Sequence, residues 1–160
     1  MIYALSTNVV ADTVQSLTAL HELSSGKREP VLDPDRGGIL RLMIRNAFAT
    51  LCLKISPVVR ECDLDGETGA GSALDPVAAA DGSDVIMTVE IDEPRGFGVG
   101  KAGIVRRNME QAVAFLVLAW IMRAGGNTQQ ASEAESTAAV CMAAVKSELM
   151  PEIHPIRRFI

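Results

Sequence analysis

Aromatic side chains are scarce in this chain. They make up 4% of the residues: one tryptophan, one tyrosine and four phenylalanines. A hydrophobic core must therefore be built mostly from aliphatic residues and alanine. Cysteine is almost as sparse, and the three present (Cys52, Cys62, Cys141) form no close pair in sequence. An odd number at such spacings argues against a disulfide framework and for a reducing compartment. Only two histidines occur, His21 and His154, and neither stands in a recognised ligand spacing with the cysteines. No serine or cysteine carries a local activating signature, so no catalytic constellation is evident. The first ten residues, MIYALSTNVV, have neither a basic n-region nor a long apolar h-region, and no secretory signal is expected.

Basic residues are absent from one long stretch. Residues 61–93 contain ten Asp/Glu and no Lys or Arg, whereas residues 1–60 carry seven Lys/Arg against five Asp/Glu and residues 94–160 carry eight against five. The net charge of −5 thus hides an acidic block between two mildly basic segments. That is not the clustered basic footprint of a nucleic-acid-binding protein. It fits either a solvated loop or an acidic surface for a basic partner or a second copy.

At 48% hydrophobic over 160 residues, the chain suits one mainly helical domain spanning 1–160. Its longest apolar run is Ala112–Met122, eleven residues that include Phe115 and the sole tryptophan, Trp120. A membrane span needs about 20, and nothing in the run breaks it into two strands. It predicts a helix, Ile104–Arg123, buried on nearly all sides at the centre of the domain. No membrane association is expected.

The remaining elements follow from periodicity and punctuation. Thr7 to about Ser24 predicts a first helix capped by Ser6 or Thr7, with Val10, Val14, Leu17 and Leu20 on one face and His21 extending the stripe. Asp33-Pro34-Asp35 marks a second helix start, weakened by Gly37-Gly38. Ile39, Leu40, Leu42, Met43, Ala47, Leu51 and Ile55 form its apolar face, Phe48 and Cys52 widen it, and Pro57 ends it. Asp84–Ile91 alternates as a strand, with Val58-Val59 a short partner, so that residues 58–92 form an acidic, glycine-rich hairpin. A fourth, alanine-rich helix over Thr128–Met150 has the small side chains that permit close approach to the central one. Pro151 closes it, and an extended arm, 151–160, follows.

Two motif matches fail on inspection. Asp63-Leu64-Asp65-Gly66 has a trace of a calcium loop, but glycine arrives at the fourth position and the twelfth is Leu74, not glutamate. Gly98-Val99-Gly100-Lys101-Ala102-Gly103 satisfies G-x-G-x-x-G, the dinucleotide fingerprint. It lies too far beyond its strand, and Gly125-Gly126-Asn127-Thr128 occupies the place of the ribose-binding acid. A P-loop would need glycine at 95 and Ser or Thr at 102, where Arg95 and Ala102 stand. No cofactor is expected. Arg106-Arg107, near the predicted start of the central helix, opposes the helix dipole and invites a contact with the acidic segment of the same chain or a neighbour.

The second half of the chain resembles small virion proteins of tailed phages and prophages, of the head–tail connector or neck type. The resemblance lies in the order of Asp33-Pro34-Asp35 opening a helix through Leu40–Ala47, the strand Met87–Ile91 running into Glu93-Pro94, the long apolar helix, the alanine-rich helix and the basic Pro155–Phe159 tail. It covers about residues 30–160. It implies a non-enzymatic subunit that assembles into a homo-oligomeric ring and contacts other virion or assembly proteins, located in the host cytoplasm or the assembled particle. Arg106, Arg107, Arg157, Arg158 and Phe159 are the candidate interface residues. The expected architecture is mainly α: a four-helix bundle-like domain with a β-hairpin or short strand pair inserted between helices two and three. Alternatives are an intracellular helical adaptor or regulatory module that binds a protein partner, and a small nucleotide-binding enzyme that uses Gly96–Gly103.

Overall fold

The computed structural model describes residues 1–25, 37–64, 86–92, 94 and 97–150. They form a mainly helical structure with a small three-stranded antiparallel sheet. The order along the chain is β1 (Ile2–Ser6), α1 (Thr7–Ser25), α2 (Gly37–Lys54), β2 (Val59–Asp63), β3 (Ile86–Ile91), α3 (Val99–Ala124) and α4 (Thr128–Leu149). A 3-10 turn, Ser56–Val58, joins α2 to β2, so α2 ends before Pro57, which sits inside that turn.

Strand β3 pairs with β2, which begins at Val59 and extends to Asp63, beyond the Val58-Val59 expected from sequence, while Val58 belongs to the 3-10 turn. A third strand, which the sequence did not suggest, lies on the other side of β3. The strand order is β1-β3-β2. Met1 and Ile91 exchange hydrogen bonds, at 2.9 Å from the Ile91 amide and 2.8 Å from the Met1 amine. Antiparallel alternation then makes Tyr3–Val89 and Leu5–Met87 the hydrogen-bonded pairs. Tyr3, Leu5, Met87, Val89 and Ile91 are buried against the helices, while Ile2, Ala4 and Ile86 face outward. β2 carries one extra residue: Val59 pairs with Ile91, but Glu61 pairs with Glu90 and Cys62 with Val89. Because side chains alternate with period two, this bulge reverses the facing of everything after it. Cys62 is turned in beside Val89, and Glu61 is turned out.

Helix α3 packs against each of the other three helices and against β1. It is buried from Ala112 to Met122, except that Phe115 and Trp120 are only partly covered. Among the described residues the fully buried aromatic is Phe48 of α2. Among the described residues no helix is long and apolar enough to cross a membrane. The most extensive helix pairing is α3 with α4, the partnership its composition predicts. Ala131, Ala134, Ala138, Cys141, Val145 and Leu149 form the buried stripe of α4, spaced three or four residues apart. Ion pairs join the two antiparallel helices at both ends, Lys101–Glu148 at 2.9 Å and Arg123–Glu135 at 2.7 Å. The turn between them is a Schellman motif. The Asn127 amide donates to the Met122 carbonyl at 2.8 Å and the Gly126 amide to the Arg123 carbonyl at 3.1 Å, with Gly126 at φ +83°.

Several expected core positions are in solvent. Leu20 is 64% exposed, Ile39 50% and Leu42 56%. The buried stripe of α1 runs instead through Val10, Val14 and Thr18, whose hydroxyl donates to the Val14 carbonyl at 2.8 Å. In α2 the stripe runs through Leu40, Ile44, Ala47, Phe48, Leu51 and Cys52, and Ile55 continues it just past the helix end. Ser6 is the cap of α1, its hydroxyl accepting the Val9 amide at 3.2 Å. The proposed start at Asp33-Pro34-Asp35, the stop at Pro151 and the arm lie outside the described residues.

Candidate functional site

Helix α3 begins at Val99, five residues earlier than the sequence reading placed it, with Gly98 at its N-cap. Gly100 and Gly103 therefore lie within helical turns and not in a phosphate-binding loop, and the preceding strand belongs to an antiparallel sheet. A parallel crossover, which the dinucleotide fingerprint requires, is absent among the described residues. Nothing lies within 4 Å of a Cβ built on either glycine. Replacing Gly103 by alanine is thus expected to stabilise the fold by about 0.5–1 kcal/mol, read from urea unfolding, because it removes backbone freedom only from the unfolded chain.

The earlier helix start also changes Arg106 and Arg107. They stand two turns into α3, beyond the first turn in which the dipole acts appreciably. Arg106 pairs with Glu110 of the same helix at 3.4 Å. Both arginines line an open groove of about 660 Å³ whose other wall is the edge strand β1, Met1 to Ala4, and whose floor includes Ala102 and Gly103. Because Tyr3 and Leu5 bond to β3, the backbone polar groups of Ile2 and Ala4 are directed toward the outer edge of the sheet. Ile2 is itself exposed, as is Ile104 on the helix side.

Two acidic residues lie on the opposite edge strand. Glu61 and Asp63 lie on β2, and the connection into the rest of the acidic segment leaves after Asp63 and re-enters at Ile86. The arginine groove lies beside the other end of the strands, where Met1 and Ile2 meet Glu90 and Ile91. Arg60 satisfies the acids nearest that end, pairing with Asp92 at 2.5 Å and with Glu90 at 3.7 Å. No ion pair joins Arg106 or Arg107 to residues 61–93 among the described residues. Arg157, Arg158 and Phe159 lie outside them.

No family model, curated protein or solved structure matches the chain. The site is read from its own geometry. Among the described residues no group of three His, Cys, Asp or Glu is arranged to hold a metal ion. The notable side-chain pair outside the groove is Cys52 and Cys62, which the sequence reading left apart. Their sulfurs sit 3.0 Å from each other, one at the end of α2 and one on β2. Burial pushes the Cys52 thiol far above its ordinary value, and the neighbouring Cys62 adds to the rise. Burial also raises Cys62, opposed by its contact with Cys52 and aided by the Asp63 carboxylate. Cys141 is raised by burial in the α3–α4 seam.

Missing β1 meant missing half of the groove. The signal was present in Tyr3-Ala4-Leu5-Ser6, where Tyr3 and Leu5 alternate with small residues, but so short a stretch running straight into a helix cap gives little periodicity to read.

Proposed function

We propose that this chain is a non-enzymatic assembly subunit of a phage or prophage particle, of the head–tail connector kind its sequence resembles. In this reading the four helices act as a bundle-like body, with the β2–β3 hairpin inserted between α2 and α3. The observation that carries it is the placement of opposite charge on opposite edges of one small sheet: Arg106 and Arg107 beside β1, Glu61 and Asp63 on β2. A basic edge and an acidic edge on one protomer are complementary between copies. Such a contact is heterologous, and it forms a ring when its rotation closes after a whole number of copies. Charge of this kind steers association and fixes register, while the exposed Ile2 and Ile104 supply apolar surface beside it.

Light scattering over a range of concentrations tests the reading. The expected result is a mass that grows to a multiple of the 17.0 kDa protomer. Arg106→Glu with Arg107→Glu should return it to the protomer with little change in melting temperature, because both side chains are exposed. A protomer mass at every concentration, or assembly indifferent to the reversal, would overturn it.

A further inference from the structure

We propose that Cys52 and Cys62 are an oxidation site, forming a reversible disulfide that fastens the end of α2 to β2. Three observations converge on this pair. The sulfurs are already 3.0 Å apart, and a disulfide requires them to close to about 2.05 Å. The bulge between Val59 and Glu61 is what turns Cys62 inward; without the extra residue the side chain would point away from α2. The two cysteines come from different elements, joined through a 3-10 turn and packed on the same core, so the bond would close a loop across the tertiary structure.

Cys62 is the more accessible of the two, half-buried where Cys52 is 7% exposed. It is therefore the first nucleophile. Its thiolate attacks one sulfur of a small-molecule disulfide, whose S–S bond breaks to release one thiol and leave a mixed disulfide on Cys62. Cys52 then loses its proton and attacks the Cys62 sulfur, forming the Cys52–Cys62 bond and expelling the second small thiol. Two electrons and two protons pass from the protein to the small molecule, which leaves as two thiols. The raised thiols make the reaction slow at neutral pH, so the pair stays reduced unless the oxidant persists. Cys141, facing Gln111 in a different seam, has no cysteine within reach. This inference does not depend on the assembly reading.

The test uses the native full chain, reduced, then incubated with oxidised glutathione, alkylated after denaturation and mapped by mass spectrometry. The expected product is an intramolecular Cys52–Cys62 cross-link with Cys141 alkylated, reversed by dithiothreitol. The melting temperature of the oxidised form should rise by about 5–10 °C, because the bond restricts the unfolded chain. In Cys62→Ser that rise should vanish. Full alkylation of all three cysteines, a glutathione adduct without a cross-link, a bond to Cys141 or between chains, or a cross-link without the thermal shift would each overturn the proposal. Mapping on the wild-type chain keeps the test valid even if the serine variant folds poorly.

Discussion

Replacing Phe48 by alanine is expected to destabilise the protein by about 3–5 kcal/mol, the largest loss for any single truncation here. In a chain with 4% aromatics, Phe48 is the one fully buried aromatic ring among the described residues. It lies in the main core cluster with Leu51 of its own helix, Ile55 just beyond that helix, the inward residues of β1 and β3, and Val113 and Val117 of α3. Truncation removes the transfer free energy of the ring and leaves a cavity between three kinds of element that cannot all collapse onto it. Trp120 is the only tryptophan and is partly buried on α3 against the same core, so its fluorescence reports unfolding directly. Urea denaturation followed at Trp120 should show a lower midpoint with a similar slope. A loss below about 1 kcal/mol would mean that the ring is not enclosed as the structure has it.

The second large effect runs the other way in volume. Ala138 is fully buried in the α3–α4 seam, near the middle of α4. Leucine there should cost about 1–3 kcal/mol, because added methylenes in a packed seam force side chains off their rotamers or push the helices apart. The neighbouring alanine at 139 is exposed and serves as the control, where leucine should be nearly neutral. The pair separates close packing from helix propensity, since both substitutions put the same residue on the same helix. Equal effects at 138 and 139 would contradict the assignment of the seam.

These two substitutions mark what was legible in the sequence. The α3–α4 pairing could be read because eleven apolar residues in succession need cover on every side and an alanine stripe offers it. The strand β3 could be read because Met87, Val89 and Ile91 alternate strictly. Leu20, Ile39 and Leu42 were misassigned because helical spacing identifies an apolar face only when apolar residues are confined to it. On α1 and α2 they are spread round the helix, and Leu23 and Leu53 are exposed as well. Ile44 was the missing member of the α2 stripe. The start of α3 was misplaced because glycines ordinarily signal a loop, whereas Gly100 and Gly103 are tolerated in exposed helical turns. The cysteine contact was out of reach of sequence reading, since it depends on one extra residue in β2.

Arg106 and Arg107 illustrate the same division. Their sequence context suggested a contact with acidic residues but gave no means of choosing between the same chain and a neighbour. The sheet order separates the two charges onto opposite edges, which favours the neighbour.

A charge-swap mixing experiment tests that relation most directly. One variant carries Arg106→Glu and Arg107→Glu, so both of its edges are acidic. The other carries Glu61→Lys and Asp63→Lys, so both are basic. Head-to-tail assembly predicts that each variant alone stays a protomer in native mass spectrometry and that mixing them in equal amounts restores assemblies containing both. Failure of the mixture to assemble, or assembly of either variant by itself as readily as the wild type, would contradict it.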